Sequence, residues 1–312
     1  MAGSNKNVGV IGLGIIGSRV AENLRKADYH VFVWNRTPKA APNFLSSPAE
    51  VAEVADVIQI FVRDAKALLE VLQQMRPALR PRHLVLAHGT VSLEAIHQAS
   101  DILADTGAFF VDAPFTGSKA AAQNGELVYY LAGEAHAVQA AEPILKASSK
   151  TILKFGRKVG DATVLKIVTN LMSAACVEAL AEAYAITSKH GITGHSLLEA
   201  FKNNANCSPL ITMKLPAMIA GNYETHFSLQ NMLKDARYAQ ALAREQSVVT
   251  PVLDGAEKAM SEAVALGHGE ADYAAVAENF GFNHPEPEKL SESTETSLIG
   301  LAFDTDSGSG AK

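Results

Sequence analysis

The chain has 312 residues, 48% of them hydrophobic and 19% charged, a make-up that suits a globular enzyme of two domains with a sizeable core. A net charge of −6, with no block of Lys and Arg interleaved with aromatics, argues against a nucleic-acid-binding surface. Cys176 and Cys207 lie in unrelated segments and the ten histidines form no HxxxH pair, so neither a disulfide framework nor metal catalysis is expected.

At the start, MAGSNKN runs directly into VGVIGLG, which leaves no room for a signal or transit peptide. No apolar run is expected to reach the ~20 residues of a membrane span, and the expected location is cytoplasmic. Residues 7–12 form a Val/Ile-rich run typical of a buried parallel strand. It ends in Gly12-Leu13-Gly14-Ile15-Ile16-Gly17, a GxGxxG that opens a helical SRVAENLRKA and precedes a second strand over 30–34. In that context each glycine has a mechanical role: Gly12 for the tight turn, Gly14 for close approach of a pyrophosphate, Gly17 for packing of helix on strand. The free N–H groups at the helix start then bind phosphate. After the second strand, where an NAD site places a carboxylate, the chain has Asn35-Arg36-Thr37. A guanidinium there suits the 2′-phosphate of NADP(H); the alternative is a solvent-facing arginine in a turn before Pro38.

Strand and helix alternate onward: strands over 57–62, 84–87 and 109–112, helices over 65–75 and 92–103. This βαβα order predicts an α/β, Rossmann-type, doubly wound parallel sheet. Ligands of such sheets sit beyond the carboxyl ends of the strands, which puts Val62, Arg63 and Thr90 beside the cofactor. Further strands are expected at the sheet's far edge over 126–132 and 151–155.

Residues 161–190 carry no Gly or Pro and are bounded by Gly160 and Gly191. One continuous helix of roughly 45 Å is expected, long enough to join two domains. Lys166 and Asn170 share one face of its first turns. Taken alone, the pair also fits a core helix whose lysine snorkels to water. Beyond Gly191 the strand signals stop, and helical segments over 196–203, 210–220, 229–244, 251–266 and 273–280 predict a mainly α second domain. The expected division is 1–160, a dinucleotide-binding domain; 161–282, a helical substrate and dimerisation domain; and 283–312, a polar tail of low order.

Together these residues resemble the β-hydroxyacid dehydrogenase family over roughly 7–282. GLGIIG stands for the family's GLGxMG, and Asp112-Ala113-Pro114-Phe115-Thr116-Gly117-Ser118 for its substrate motif. The K-x-x-x-N signature falls on Lys166 and Asn170, and a later K-D pair on Lys234-Asp235. The glyoxylate/succinic semialdehyde reductase branch is the most similar, through Asn35–Thr37, Gly117–Lys119 and Gly269–Tyr273. The resemblance implies reversible hydride transfer between NADPH and a short aldehyde or ketone bearing a carboxylate. Lys166 is then the general acid/base and Asn170 holds the substrate oxygen or the lysine. Thr116, Gly117 and Ser118 supply donors to the carboxylate, and Lys234 lies near the nicotinamide or closes over the substrate. A homodimer, or a tetramer of dimers, is also implied. The strand-four motif departs from the family: it reads Ala87-His88-Gly89-Thr90, with a histidine that either lines the nicotinamide pocket or packs behind the strand end. Other readings are an imine reductase-like activity, though such relatives usually lack the lysine, or an NADP-binding sensor or scaffold without turnover.

Overall fold

The computed structural model describes residues 6–282 and His284. Five strands run parallel in the order β2 (His30–Trp34), β1 (Asn7–Ile11), β3 (Val57–Ile60), β4 (Leu84–Ala87) and β5 (Phe109–Asp112). Helices cover both faces. Val8, Val10, Val31 and Val33 point into one core, Ile58, Ile60 and Val85 into the other, as the alternation of a strand requires. α1 (Gly17–Lys26) covers the first face, and α3 (Ala65–Met75) and α4 (Leu93–Ala104) the second. Between β2 and β3 lies α2 (Pro48–Val54), which the hydrophobic period did not reveal. Its start is nonetheless written in Ser47-Pro48: the serine side chain accepts from Glu50 N and the proline occupies the first turn.

The sheet is mixed at its far edge, where strands were expected without a stated direction. β7 (Leu127–Gly133) runs antiparallel to β5 and to the short β6 (Phe115–Thr116). β5 and β6 share one continuous register along β7, with Tyr130 N donating to Pro114 O at 2.8 Å between them. The reason is the length of the connection. A parallel return needs a crossover of a dozen or more residues, usually a full helix, but β6 and β7 are joined only through the five-residue α5 (Lys119–Gln123). From β7 to β8 (Ser149–Gly156) the chain does make that crossover, through α6 (Ala135–Leu145), and the pair is parallel.

α7 spans Asp161–Lys189 without interruption. Its own N-cap, Gly160, has φ +105° and offers no side chain, so the first turn is capped from outside. The Asp112 carboxylate, at the end of β5, accepts from Gly160 N, Thr163 N and Thr163 Oγ1 at 3.1, 2.9 and 2.7 Å. This contact ties the sheet to the long helix. Further along, Ala174, Val177, Leu180, Ala181 and Tyr184 enter a second core with Leu215, Met218, Met232, Leu233, Met260 and Val276. That core is built by α8 (Gly194–Lys202), α9 (Pro209–Ala220), α10 (Leu229–Glu245), α11 (Pro251–Ala263) and a 3₁₀ turn over Tyr273–Phe280. α11 ends before the expected 266, in a wider turn where Gly267 takes φ +101°.

By length and composition α7 is also the one helix among the described residues that passes for a membrane span, contrary to the expectation that no run approaches that length. Its apolar character comes from alanines and from a face packed in the second core, and Lys166, Asn170 and Glu178 are buried along it. The polar tail expected over 283–312 lies outside the described residues, apart from His284.

Candidate functional site

The glycine turn between β1 and α1 is held from three sides. Gly12 N donates to Trp34 O at 2.8 Å, Leu13 N to Asn35 Oδ1 at 2.8 Å, and Lys39 Nζ to Leu13 O at 2.7 Å. Gly12 has φ +95°, and a Cβ there would lie 2.1 Å from Phe61 O; one at Gly17 would lie 2.0 Å from Gly12 O. Both positions therefore require glycine for the chain's own packing. Gly14 differs, because a Cβ there would meet nothing within 4 Å. Its bareness leaves open space at a helix N-terminus, the shape a pyrophosphate needs. Ile15 is exposed and Ile16 half-buried beside that space. The residues present fit a dinucleotide.

Asn35 is placed differently from the expectation that it faces the cofactor. Its Oδ1 braces Leu13 and its Nδ2 donates to Thr37 O at 2.7 Å, so both ends serve the turn itself. Arg36 and Thr37 stand exposed at the end of β2. Lys39, which the sequence reading passed over, adds a second cation at the same mouth.

Across the carboxyl edge of the sheet, the N-terminal half of α10 faces β3 and β4. Lys234 Nζ donates to Thr90 O at 2.6 Å and to Asp235 Oδ1 at 2.6 Å, with the Tyr238 ring 4.7 Å from the ammonium. Asp235 is fully buried, and its other oxygen accepts from Asn170 Nδ2 at 2.6 Å. Asn170 Oδ1 in turn accepts from Lys166 Nζ at 2.9 Å. Lys166, Asn170, Asp235 and Lys234 thus form one hydrogen-bonded row between α7 and α10. Lys166 is 8% exposed, so it does not snorkel as a core-helix lysine would. Burial pushes its ammonium down to about 8; the Asp235 carboxylate opposes that fall and the Lys234 charge adds to it. A lysine whose pKa is brought down to about 8 is suited to both giving and taking a proton.

The 112–118 stretch divides its roles. Asp112 is buried as the cap of α7, and loss of water raises its carboxyl to about 6 against the opposing hydrogen bonds from Thr163 and Gly160. Thr116 is half-buried, and Gly117, with φ +142°, could not carry a side chain without meeting Leu127 at 2.8 Å. Ser118 was expected to give its hydroxyl to a substrate; here Oγ accepts from Ala121 N at 3.2 Å as the N-cap of α5. The cap uses the hydroxyl only as an acceptor, so its O–H is still available to donate.

His88 packs behind the strand end. It is 1% exposed, stacked on Phe61 with centroids 4.4 Å apart, and its Nδ1 lies 2.6 Å from Ala113 O. The Gln59 amide lies 3.0 Å from Nε2. Desolvation pushes the imidazole down to about 3, so it stays neutral within the core. Val62 is half-buried, its carbonyl against Gly89, while Arg63 reaches away from the glycine turn to Asn231 and Glu270.

Comparison with known proteins places these features in a lineage. Residues 7–156 match the model for the NAD binding domain of 6-phosphogluconate dehydrogenase. Residues 160–280 match that for the NAD-binding region of NADP-dependent 3-hydroxyisobutyrate dehydrogenase. Glyoxylate/succinic semialdehyde reductase 2, chloroplastic, of Arabidopsis thaliana is 32% identical over 87% of this chain and 78% of its own. Glyoxylate/succinic semialdehyde reductase 1 of the same plant is 29% identical over 88% and 99%. Among solved structures, a 3-hydroxyisobutyrate dehydrogenase from Salmonella typhimurium superposes with a TM-score of 0.80 at 23% identity, over 88% and 99% of the two chains.

Proposed function

The chain belongs to the β-hydroxyacid dehydrogenase family of NADP(H)-dependent oxidoreductases, and from that premise we propose its substrate class and the residues that act on it. The substrate is a short aldehyde or ketone bearing a carboxylate, interconverted with its hydroxyacid. The two plant relatives, named for glyoxylate and succinic semialdehyde, support this class. The observation that carries the reading is the row from Lys166 through Asn170 to buried Asp235.

Bound NADPH supplies the hydride for the carbonyl carbon. Lys166 gives a proton from Nζ to the carbonyl oxygen as negative charge develops there, and takes one back in the oxidative direction. Of its three N–H donors, one is engaged with Asn170 Oδ1, which fixes the rotamer and leaves the others for the substrate. Asp235 keeps Asn170 oriented and is itself paired by Lys234, so the Lys166 ammonium is the one charge of the row without a direct counter-ion. Thr116, the Gly117 N–H and Ser118, whose hydroxyl accepts from Ala121 N and keeps its own O–H to donate, are the donors for the substrate carboxylate. Gly12, Gly14 and Gly17 cradle the phosphates, with Arg36 at the 2′-phosphate. A dimer through the helical part belongs to the same proposal, supported by exposed Leu165, Val168, Met172 and Ile186 on α7.

The test is NADPH consumption against glyoxylate, succinic semialdehyde, methylglyoxal, 3-oxopropionates and cyclic imines. Turnover of the carboxylate-bearing aldehydes over methylglyoxal and the imines is expected. Turnover confined to imines would overturn the substrate class.

A further inference from the structure

Lys234 is held from three directions. Its Nζ donates to Thr90 O, beyond the end of β4, and to Asp235 Oδ1, both at 2.6 Å. The Tyr238 ring stands over the same ammonium, 4.7 Å from Nζ to the centroid. Tyr238 follows Lys234 by one turn of α10, the spacing that brings two side chains together on one helical face.

Tyr238 packs against the small core that holds Ile167 and Leu253, with Leu171 and Leu242 at its edge. A leucine would suit such apolar neighbours as well. What an aromatic face adds is a negative quadrupole, which attracts a cation most strongly where water is scarce. The Lys234 side chain is 20% exposed, so that attraction is only partly screened. Burial raises the Tyr238 hydroxyl, and the Asp235 and Asp64 carboxylates add to the rise, so the ring carries no charge of its own near neutral pH.

Lys234 and Lys166 stand at opposite ends of the buried row, one on each oxygen of Asp235, Lys166 by way of Asn170. The charges that act on Lys166 are Asp235, which favours its ammonium, and Lys234, which opposes it. Were Lys234 to swing away, a like charge would leave and Asp235 would lose its direct partner. Both changes favour the protonated lysine.

We propose that Tyr238 is a positioning residue for Lys166: by keeping Lys234 on Asp235 and Thr90, its ring fixes a positive charge at the far end of the row and makes the Lys166 proton easier to release. Lys234 then serves as a fixed charge, with its contacts spent on the protein itself. The consequence for turnover rests on the reading that Lys166 moves the proton.

The experiment follows the titration of Lys166 in the full chain by NMR, with lysines isotope-labelled at Cε and the signal assigned by its loss in Lys166→Ala. The parent should titrate near 8. Tyr238→Leu should raise the midpoint by ~1 unit, as should Lys234→Gln, while Tyr238→Phe should leave it in place. In the Lys234→Gln background, Tyr238→Leu should have no further effect. The pH dependence of kcat for hydroxyacid oxidation should follow the same order. An unmoved midpoint in Tyr238→Leu or in Lys234→Gln would overturn the positioning role. So would an equal rise from Tyr238→Leu in both backgrounds, because the leucine would then act by loosening the core around Ile167. If the midpoints move as stated while the kcat profiles stay in place, the positioning role stands and the reading of Lys166 as proton carrier falls.

Discussion

Asn170 Nδ2 donates to Asp235 Oδ2 across 2.6 Å, and that contact decides how Lys166 is used. A carboxylate only accepts, so the amide must turn its N–H toward Asp235 and its oxygen toward Lys166. The lysine is thereby held as a donor, one residue removed from the buried charge. With the amide interposed, burial outweighs the attraction of Asp235 and the ammonium stays depressed.

Asn170→Asp removes that insulation: its carboxyl meets Asp235 on one side and the ammonium on the other, so the two carboxyls share a proton and part of their negative charge comes into contact with the lysine. The lysine pKa should rise. In the parent, hydroxyacid oxidation needs the neutral amine and should rise with pH through about 8. In Asn170→Asp the same rise should move to higher pH, read from kcat against pH. A profile that stays in place would show that the amide does not set the lysine's proton affinity.

Arg36 should select the cofactor. Arg36→Ala is expected to weaken NADPH relative to NADH by ~1.5–3 kcal/mol, the worth of a charged hydrogen-bonded contact. Calorimetric titration of both cofactors checks it. Equal losses for the two would remove the Asn35–Thr37 segment from the argument, and would leave Lys39 as the cation to examine next.

Stability should fall as the solution becomes more basic through neutrality. Glu178, on α7, is buried with Oε2 lacking a partner and with Glu182 and Glu262 nearby. Burial first, then those two charges, raise its carboxyl to about 7. Its folded pKa lies above the unfolded value, so the native state binds the extra proton. That contribution is full below the ordinary carboxylate range and is lost as pH rises through about 7. Glu178→Gln keeps the shape without the charge, and should raise Tm at pH 8 by roughly 2–4 °C. At pH 5 it should change little. A larger gain at pH 5 than at pH 8 would reverse the sign and refute the assignment.

What the sequence showed and what it hid follow from the range of each interaction. The glycine turn, the long α7 and the Lys166/Asn170 face are local patterns, legible because three- and four-residue spacings fix them. Asp112 reads as part of a substrate motif, yet its carboxylate caps a helix 51 residues away at Thr163, which no local pattern encodes. Asp235 likewise meets Asn170 only through tertiary packing, 65 residues apart. The antiparallel β7 was hidden in the shortness of α5, a matter of chain length more than of residue type. His88 was ambiguous because the same strand-end position suits a ligand or a core contact, and Phe61 and Ala113 decide between them.

The central claim is that Lys166 moves the proton. Single-turnover and steady-state kinetics of Lys166→Ala, with NADPH affinity measured on the same sample, test it most directly. A fall in kcat of ~10²–10⁴-fold is predicted, with NADPH affinity unchanged, since the proposed seat of the phosphates is Gly12–Gly17 and not this helix. Lys166→Arg should not restore the rate, since a guanidinium stays charged and cannot cycle a proton near neutral pH. A folded Lys166→Ala that binds NADPH and reduces the aldehyde at close to the parent rate would contradict the account.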